Sequence, residues 1–240
     1  MDLVIDIGNT RTKAGLFAEG RLLRSTVAVQ DVAGALRDLL GADRPLRIGL
    51  GRVGVADAEL HGFLRAIAPV TTLSGGSPAP IRTAYATPGT LGVDRWAHAV
   101  AAAALFPGRP VLAISLGTCI TTDLVDADGL HRGGLISPGQ VMRARAMHAF
   151  TAALPEVIPP DDPPLLGLTT DGALAAGIHH GIRAELGHTI AQLRTSWPDL
   201  AVVLTGGDAV RYAKALENGI FAHPYLTLIG LRILLSHAAP

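Results

Sequence analysis

Short apolar runs closed by glycine or polar turns open the chain. Residues 3–7 are apolar except for Asp6 and stop at Gly8, which predicts a buried strand. Residues 13–17 predict a second strand, Glu19-Gly20 a turn, and residues 21–29 a third strand. Asp31 then caps a predicted helix reaching Leu40, with Val32, Leu36, Leu39 and Leu40 on one face. Residues 47–53 predict a strand and residues 56–68 a helix carrying Leu60, Phe63, Leu64 and Ile67. A short strand at 70–73 precedes the breaker-rich segment 74–80.

The pattern recurs further on. Residues 111–116 form an apolar strand ending at Gly117, 120–125 a second, and 130–136 a third beyond the Asp128-Gly129 turn. A helix is predicted over 141–154. Ile5-Asp6-Ile7-Gly8 lines up with Ile114-Ser115-Leu116-Gly117, and the elements keep their order. Two copies of one strand–turn–strand–turn–strand–helix unit predict a duplicated α/β fold, two lobes at 1–110 and 111–240 with a cleft between them. After the proline-rich loop 159–164, the pattern predicts a helix over 171–197, a strand at 201–204, a helix over 209–217, an apolar segment at 226–229 and a last helix to about His237.

Composition narrows the function. The 240 residues are 49% hydrophobic and 17% charged, enough apolar material for a substantial core. Lys plus Arg equals Asp plus Glu at 20 each, so no global basic field exists to hold nucleic acid. Cys119 is the single cysteine; it excludes an intramolecular disulfide and points to a reducing, cytoplasmic compartment. The start MDLVIDIGNT has no basic region before its apolar run and does not read as a signal peptide. The longest apolar stretch, 96–106, is too short for a bilayer, which needs about 20 residues.

Candidate chemistry begins at the first hairpin. A carboxylate ending a buried strand is costly unless donors or a metal face it, which singles out Asp6. Gly8 permits close backbone approach, Asn9, Thr10 and Thr12 offer donors to phosphate oxygens, and Lys13 adds positive charge. The competing reading is a tight turn closed by Asp6 and Asn9; the co-occurrence of acid, glycine, hydroxyls and lysine favours phosphate binding. Gly117-Thr118 with Thr121-Thr122-Asp123, and Thr205-Gly206-Gly207-Asp208, are each balanced between nucleotide contact and ordinary strand or turn structure. Asp94, at the start of an Ala-rich helix from about Trp96, reads locally as an N-terminal cap in preference to a base paired with Arg95. Gly133 to Gly139 reads as a bend. His148, His179 and His180 lack metal-ligand spacing.

Taken together, DIGNTRTK at 6–13, LGVDR at 91–95, GTCITTD at 117–123, GGLISPG at 133–139, TAALP at 151–155 and TGGDA at 205–209 resemble type III pantothenate kinases. The motifs occur in the family's order across nearly the whole chain. The resemblance implies the duplicated ribonuclease-H-like fold of actin, Hsp70 and sugar kinases. It implies phosphorylation of pantothenate by ATP, the first step of coenzyme A synthesis. By that likeness Asp6, Ile7, Gly8, Asn9, Thr10, Arg11, Thr12 and Lys13 bind ATP, with Thr118 on its phosphates. Tyr85, Gly92, Val93, Asp94, Arg95 and Thr170 would hold pantothenate, and Asp94 would accept the hydroxyl proton. Mg²⁺ would reach Asp6 through water, and the protein would be a homodimer. One position departs: the family's second phosphate motif begins with an Asp that helps bind K⁺ or NH₄⁺, and here it is Ser115. The rival expectations are a kinase of the same superfamily acting on another small alcohol, an Hsp70-like or actin-like ATPase, for which the chain is short, and a non-enzymatic transcription accessory factor, which the missing basic patch disfavours.

Overall fold

A computed structural model describes residues 1–52, 58–216 and 220–238. Its strands in chain order are β1 (Asp2–Ile7), β2 (Thr12–Ala18), β3 (Arg21–Ala28), β4 (Arg47–Arg52), β5 (Val70–Leu73), β6 (Arg82–Thr83), β7 (Val111–Leu116), β8 (Cys119–Val125), β9 (Leu130–Pro138), β10 (Ala201–Thr205) and β11 (Ile220–Ala222). The helices are α1 (Val32–Leu40), α2 (Ala58–Ile67), α3 (Val93–Leu105), α4 (Gln140–Ala149), α5 (Thr170–Ser196), α6 (Ala209–Ala215) and α7 (Leu226–His237). Packing gathers them into two compact units. Unit 1 is Met1–Gly108 with Val125–Gly133 and Tyr225–Pro240; unit 2 is Arg109–Leu124 with Gly134–Pro224.

In unit 1 the sheet runs β3-β2-β1-β4-β5, with β1 antiparallel to β2 and parallel to β4. The central strand is apolar on both faces, so Leu3, Val4 and Ile5 are all fully buried. Leu3, Ile5, Leu16, Ile48 and Leu50 share one core with Leu36 and Leu39 of α1 and with Leu60 and Leu64 of α2. Full burial of each such side chain stabilises by about 1.5–3 kcal/mol. Asp31 caps α1 as expected, accepting from Gly34 N at 2.9 Å.

Against α7 the sheet is pared down to glycine. A Cβ on Gly51 would stand 2.7 Å from Leu231, and one on Gly49 3.2 Å from Leu235. α7 also meets α3 backbone to backbone: a Cβ on Gly230 would lie 1.9 Å from the Ala97 carbonyl oxygen. His98 Nε2 and Thr227 Oγ1 add a buried hydrogen bond of 2.8 Å across the same contact. These close approaches fix α3, and with it the first-turn residue Asp94.

The strand order β11-β10-β7-β8-β9 repeats the order of the first sheet, which is the duplication expected from the sequence. In unit 2, β10 lies parallel to β7 and β11, and Ile114, Leu116, Leu204, Ile182, Leu186 and Tyr212 build the core. The first residues of β9 belong to unit 1, where Leu130 and His131 pair in parallel with Arg82 and Thr83 of β6.

Three expectations need correction. The helix predicted to Leu154 ends at Ala149: Phe150 is 89% exposed, so continuation would bury nothing, and His148 Nδ1 meets the Leu154 oxygen at 2.6 Å. The apolar segment at 226–229 and the last helix are one helix, α7. α3 starts at Val93 rather than Trp96 because Gly92 takes the N-cap. The expected strand residue Val53, the helix residues Ala56 and Asp57, and Glu217 lie outside the described residues. No helix of the described residues is long and apolar enough to cross a membrane.

Candidate active site

The first hairpin turns between Ile7 and Thr12. Gly8 N donates to Arg11 O at 3.2 Å and closes it. Ile7 packs its side chain against the unit 1 core and Thr12 is buried, while Asn9, Thr10 and Arg11 are exposed at the tip. Asp6 and Lys13 are directly opposed across β1 and β2. Opposed side chains share a sheet face, so the acid and the base face the same way. Asp6 is only 8% exposed. Burial pushes its carboxyl up to about 6, Lys13 pulls it down, and the charge of Asp94 pushes it up further. Two acids from distant parts of the chain therefore sit within electrostatic reach inside unit 1.

Asp94 is not the cap that its local sequence suggested. Gly92 is the N-cap of α3, with no side-chain capping bond, and Asp94 lies in the first turn. There the helix dipole favours a carboxylate. Its side chain folds over Gly92: a Cβ added there would stand 2.5 Å from Asp94 Oδ1. Glycine at 92 thus makes room for the acid. The neighbouring Val93 is buried and helps anchor the turn.

Beside Asp94, Arg95 is buried and its guanidinium carbon lies 5.6 Å from the centroid of the Tyr85 ring. Tyr85 stacks on His131 at 6.2 Å and 19°, and Trp96 tilts against the same imidazole at 5.8 Å. Thr83 Oγ1 accepts from Tyr85 N at 3.0 Å and meets His131 Nδ1 at 2.9 Å. Trp96 donates Nε1–H to Ser77 O at 3.0 Å. The sequence pointed to Tyr85 and Arg95; it missed Thr83, His131 and the packing role of Trp96. The available signal was His131 standing on the strand 130–136, a polar residue that turns out to be fully buried.

In unit 2 three glycine turns converge on the end of β7. Thr118 is exposed in the β7–β8 turn, and Gly139 N donates to its carbonyl at 3.0 Å. A Cβ on Gly139 would lie 2.1 Å from Gly117 O. Gly206, at φ +97, presses on Leu116, whose oxygen also accepts from Asp208 N at 3.2 Å. Ser115 is half-buried and pairs with Thr205 of β10, whose Oγ1 is buried with no hydrogen-bond partner among the described residues. Thr122 Oγ1 is used structurally, accepting from Leu135 N at 2.9 Å. Thr170 is exposed at the first turn of α5; the capping bond there comes from Thr169, which accepts from Gly172 N at 3.1 Å. The bend at Gly133-Gly134 lies within β9, and Gly134 has no room for a Cβ beside Thr122 O. Among the described residues no cluster of three or more His, Cys, Asp or Glu is placed to hold a metal.

Comparison with known proteins gives the family and the fold. The family model for type III pantothenate kinase matches residues 2–192. A type III pantothenate kinase from Phocaeicola vulgatus is 38% identical over 239 residues, covering 99% of this chain and 98% of its own. Among solved structures, a conserved protein of the Baf transcriptional-activator family from Campylobacter jejuni matches with TM-score 0.61 at 20% identity, covering 98% of this chain and 97% of its own. A ROK family glucokinase from Streptomyces griseus, solved with glucose and AMPPNP, matches with TM-score 0.52 at 15% identity over 96% and 97% of the two chains. At those identities the structural likeness establishes the fold, the α/β fold shared with sugar kinases. The family follows from the sequence matches over nearly the full length: this chain belongs to the type III pantothenate kinases.

Proposed function

We propose that the protein transfers the γ-phosphoryl group of ATP to the primary hydroxyl of pantothenate, giving 4′-phosphopantothenate and ADP at the first step of coenzyme A synthesis. The observation that carries this reading is the pair of acids in unit 1, Asp6 at the hairpin and Asp94 at the helix start, with Arg95 and Tyr85 alongside. The hairpin from Asp6 to Lys13 takes the ATP phosphates through exposed backbone amides, the Asn9 and Thr10 side chains and the Lys13 charge; a phosphate contact from Thr118 rests on the family resemblance alone. Arg95 supplies a fixed positive charge for the pantothenate carboxylate, with Tyr85, Gly92 and Val93 beside it in unit 1; a substrate contact from Thr170 rests on the family resemblance alone. The substrate oxygen attacks the γ-phosphorus, the bond to the β-bridging oxygen breaks, and the hydroxyl proton passes to Asp94. Such a loose transition state needs alignment and charge neutralisation more than a strong base.

The residues fit a divalent ion held mainly by phosphates and water. A buried carboxyl raised to about 6 and facing a second acid is a group that a nearby cation would favour in its ionised form. Mg²⁺ bound there would neutralise phosphate charge, reaching Asp6 through water. The monovalent-cation position fits less well: Ser115 and its neighbour Thr205 offer neutral hydroxyls where the family offers a carboxylate. The protein would act in the cytoplasm. A homodimer is supported by apolar side chains left exposed in unit 2, among them Phe150 at 89% and Leu168 at 98%. The halves 1–110 and 111–240 would be the two ribonuclease-H-like copies.

Mass analysis of the products with ATP and pantothenate tests the reaction. The expected product is 4′-phosphopantothenate, with no transfer to glucose offered at the same concentration. Phosphorylated glucose without phosphopantothenate would reject the reading.

A further inference from the structure

We propose that His131 is a positioning residue for the acceptor subsite, setting the place of Tyr85 and hence of the pantothenate carboxylate end; this rests on the function proposed above. The segment after Thr83 leaves regular strand structure and runs through a single 3₁₀ turn at Pro88–Thr90 to Gly92. Little secondary structure therefore holds Tyr85. His131 holds it instead, in three ways. Its carbonyl accepts from Ala84 N at 2.9 Å. Its Nδ1 meets Thr83 Oγ1 at 2.9 Å, the same oxygen that accepts from Tyr85 N. Its ring stacks on the Tyr85 ring, which lies near the Arg95 guanidinium.

The imidazole is 0% exposed, with Trp96 against it, so it does not reach a ligand itself. Its action is indirect. Thr83 Oγ1 accepts from Tyr85 N and shares its second hydrogen bond with His131 Nδ1, donor and acceptor in that pair being set by the imidazole tautomer. Losing that partner frees the hydroxyl to rotate and loosens the Tyr85 backbone, while the chemistry at Asp94 is untouched. The effect belongs in acceptor binding.

Steady-state kinetics with both substrates varied test this in His131→Phe, which keeps a ring, and Thr83→Val, which removes the shared hydroxyl. His131→Asn retains a polar atom near Nδ1 and serves as rescue. His131→Phe and Thr83→Val each raise KM for pantothenate about tenfold, equivalent to about 1.4 kcal/mol, and leave kcat and KM for ATP within about twofold. The double variant is no worse than the worse single one, and His131→Asn stays near wild type. Unchanged KM for pantothenate in Thr83→Val, or a parallel fall in kcat and rise in KM for ATP, overturns the proposal. A wild type inactive on pantothenate removes the proposed function and this role together. An active wild type whose KM ignores both substitutions removes the role of His131 alone.

Discussion

Asp6→Asn separates what the site needs from what the fold prefers. In the folded protein the Asp6 carboxyl is raised from 3.8 to about 6, chiefly by burial. A carboxyl raised in the folded state binds protons there more tightly than in the unfolded chain. Its contribution to stability is therefore most favourable below pH 3.8 and is lost as pH rises through about 6. The full difference corresponds to about 3 kcal/mol against the ionised, ligand-free protein at pH 7.5. Asparagine keeps the shape without the charge. Urea unfolding of the ligand-free proteins reads the effect: Asp6→Asn exceeds wild type by up to about 3 kcal/mol at pH 7.5, and the gap narrows steadily toward pH 4. The gain shrinks in an Asp94→Asn background, because the charge of Asp94 is one cause of the shift. ATP turnover by Asp6→Asn falls at least about a hundredfold at the same time. A variant less stable than wild type at pH 7.5, or a gap that does not change with pH, would refute the reasoning.

Gly92→Ala places a methyl group 2.5 Å from Asp94 Oδ1; the side chain moves aside, so kcat falls about 10–100-fold while thermal unfolding shifts little, and unchanged kcat would show that the Asp94 position is not critical. Activity in Na⁺ buffer equals that in K⁺ or NH₄⁺ buffer within about twofold, since Ser115 brings no charge to the cation position; strong activation by K⁺ counts against that reading. Light scattering after size exclusion gives a dimer for wild type, and replacing Phe150 and Leu168 together by Asp shifts it toward monomer; a monomeric wild type removes the dimer from the account.

The sheets were legible because their central strands are apolar on both faces. Residues 3–7 and 111–116 have few alternatives to burial, and their glycine ends mark the turns. The repeat at Ile114 followed from the same economy of pattern. Helix ends were harder. α3 opens Val93-Asp94-Arg95-Trp96 with no side-chain capping bond at Gly92, so local pattern does not distinguish Gly92 from Asp94 as the cap. Residues 150–154 continue a helical pattern, but Phe150 is left 89% exposed.

The hairpin from Asp6 to Lys13 was legible as a candidate site because acid, glycine and lysine are contiguous. The candidate acceptor side was legible only in part. Tyr85 and Arg95 are ten residues apart and meet in space, but His131 reaches them through the parallel pairing of β6 and β9, a long-range contact that local pattern does not encode. The nearness of Asp94 to Asp6 is of the same kind. It depends on α3 docking, which brings the Asp94 charge within electrostatic reach of the Asp6 carboxyl.

The most direct test is ADP release coupled to pantothenate phosphorylation, measured on wild type and Asp94→Asn side by side. Wild type releases ADP in a pantothenate-dependent manner. Asp94→Asn loses about 100-fold or more in kcat, with KM for ATP unchanged. Undiminished turnover in Asp94→Asn would contradict the role given to Asp94.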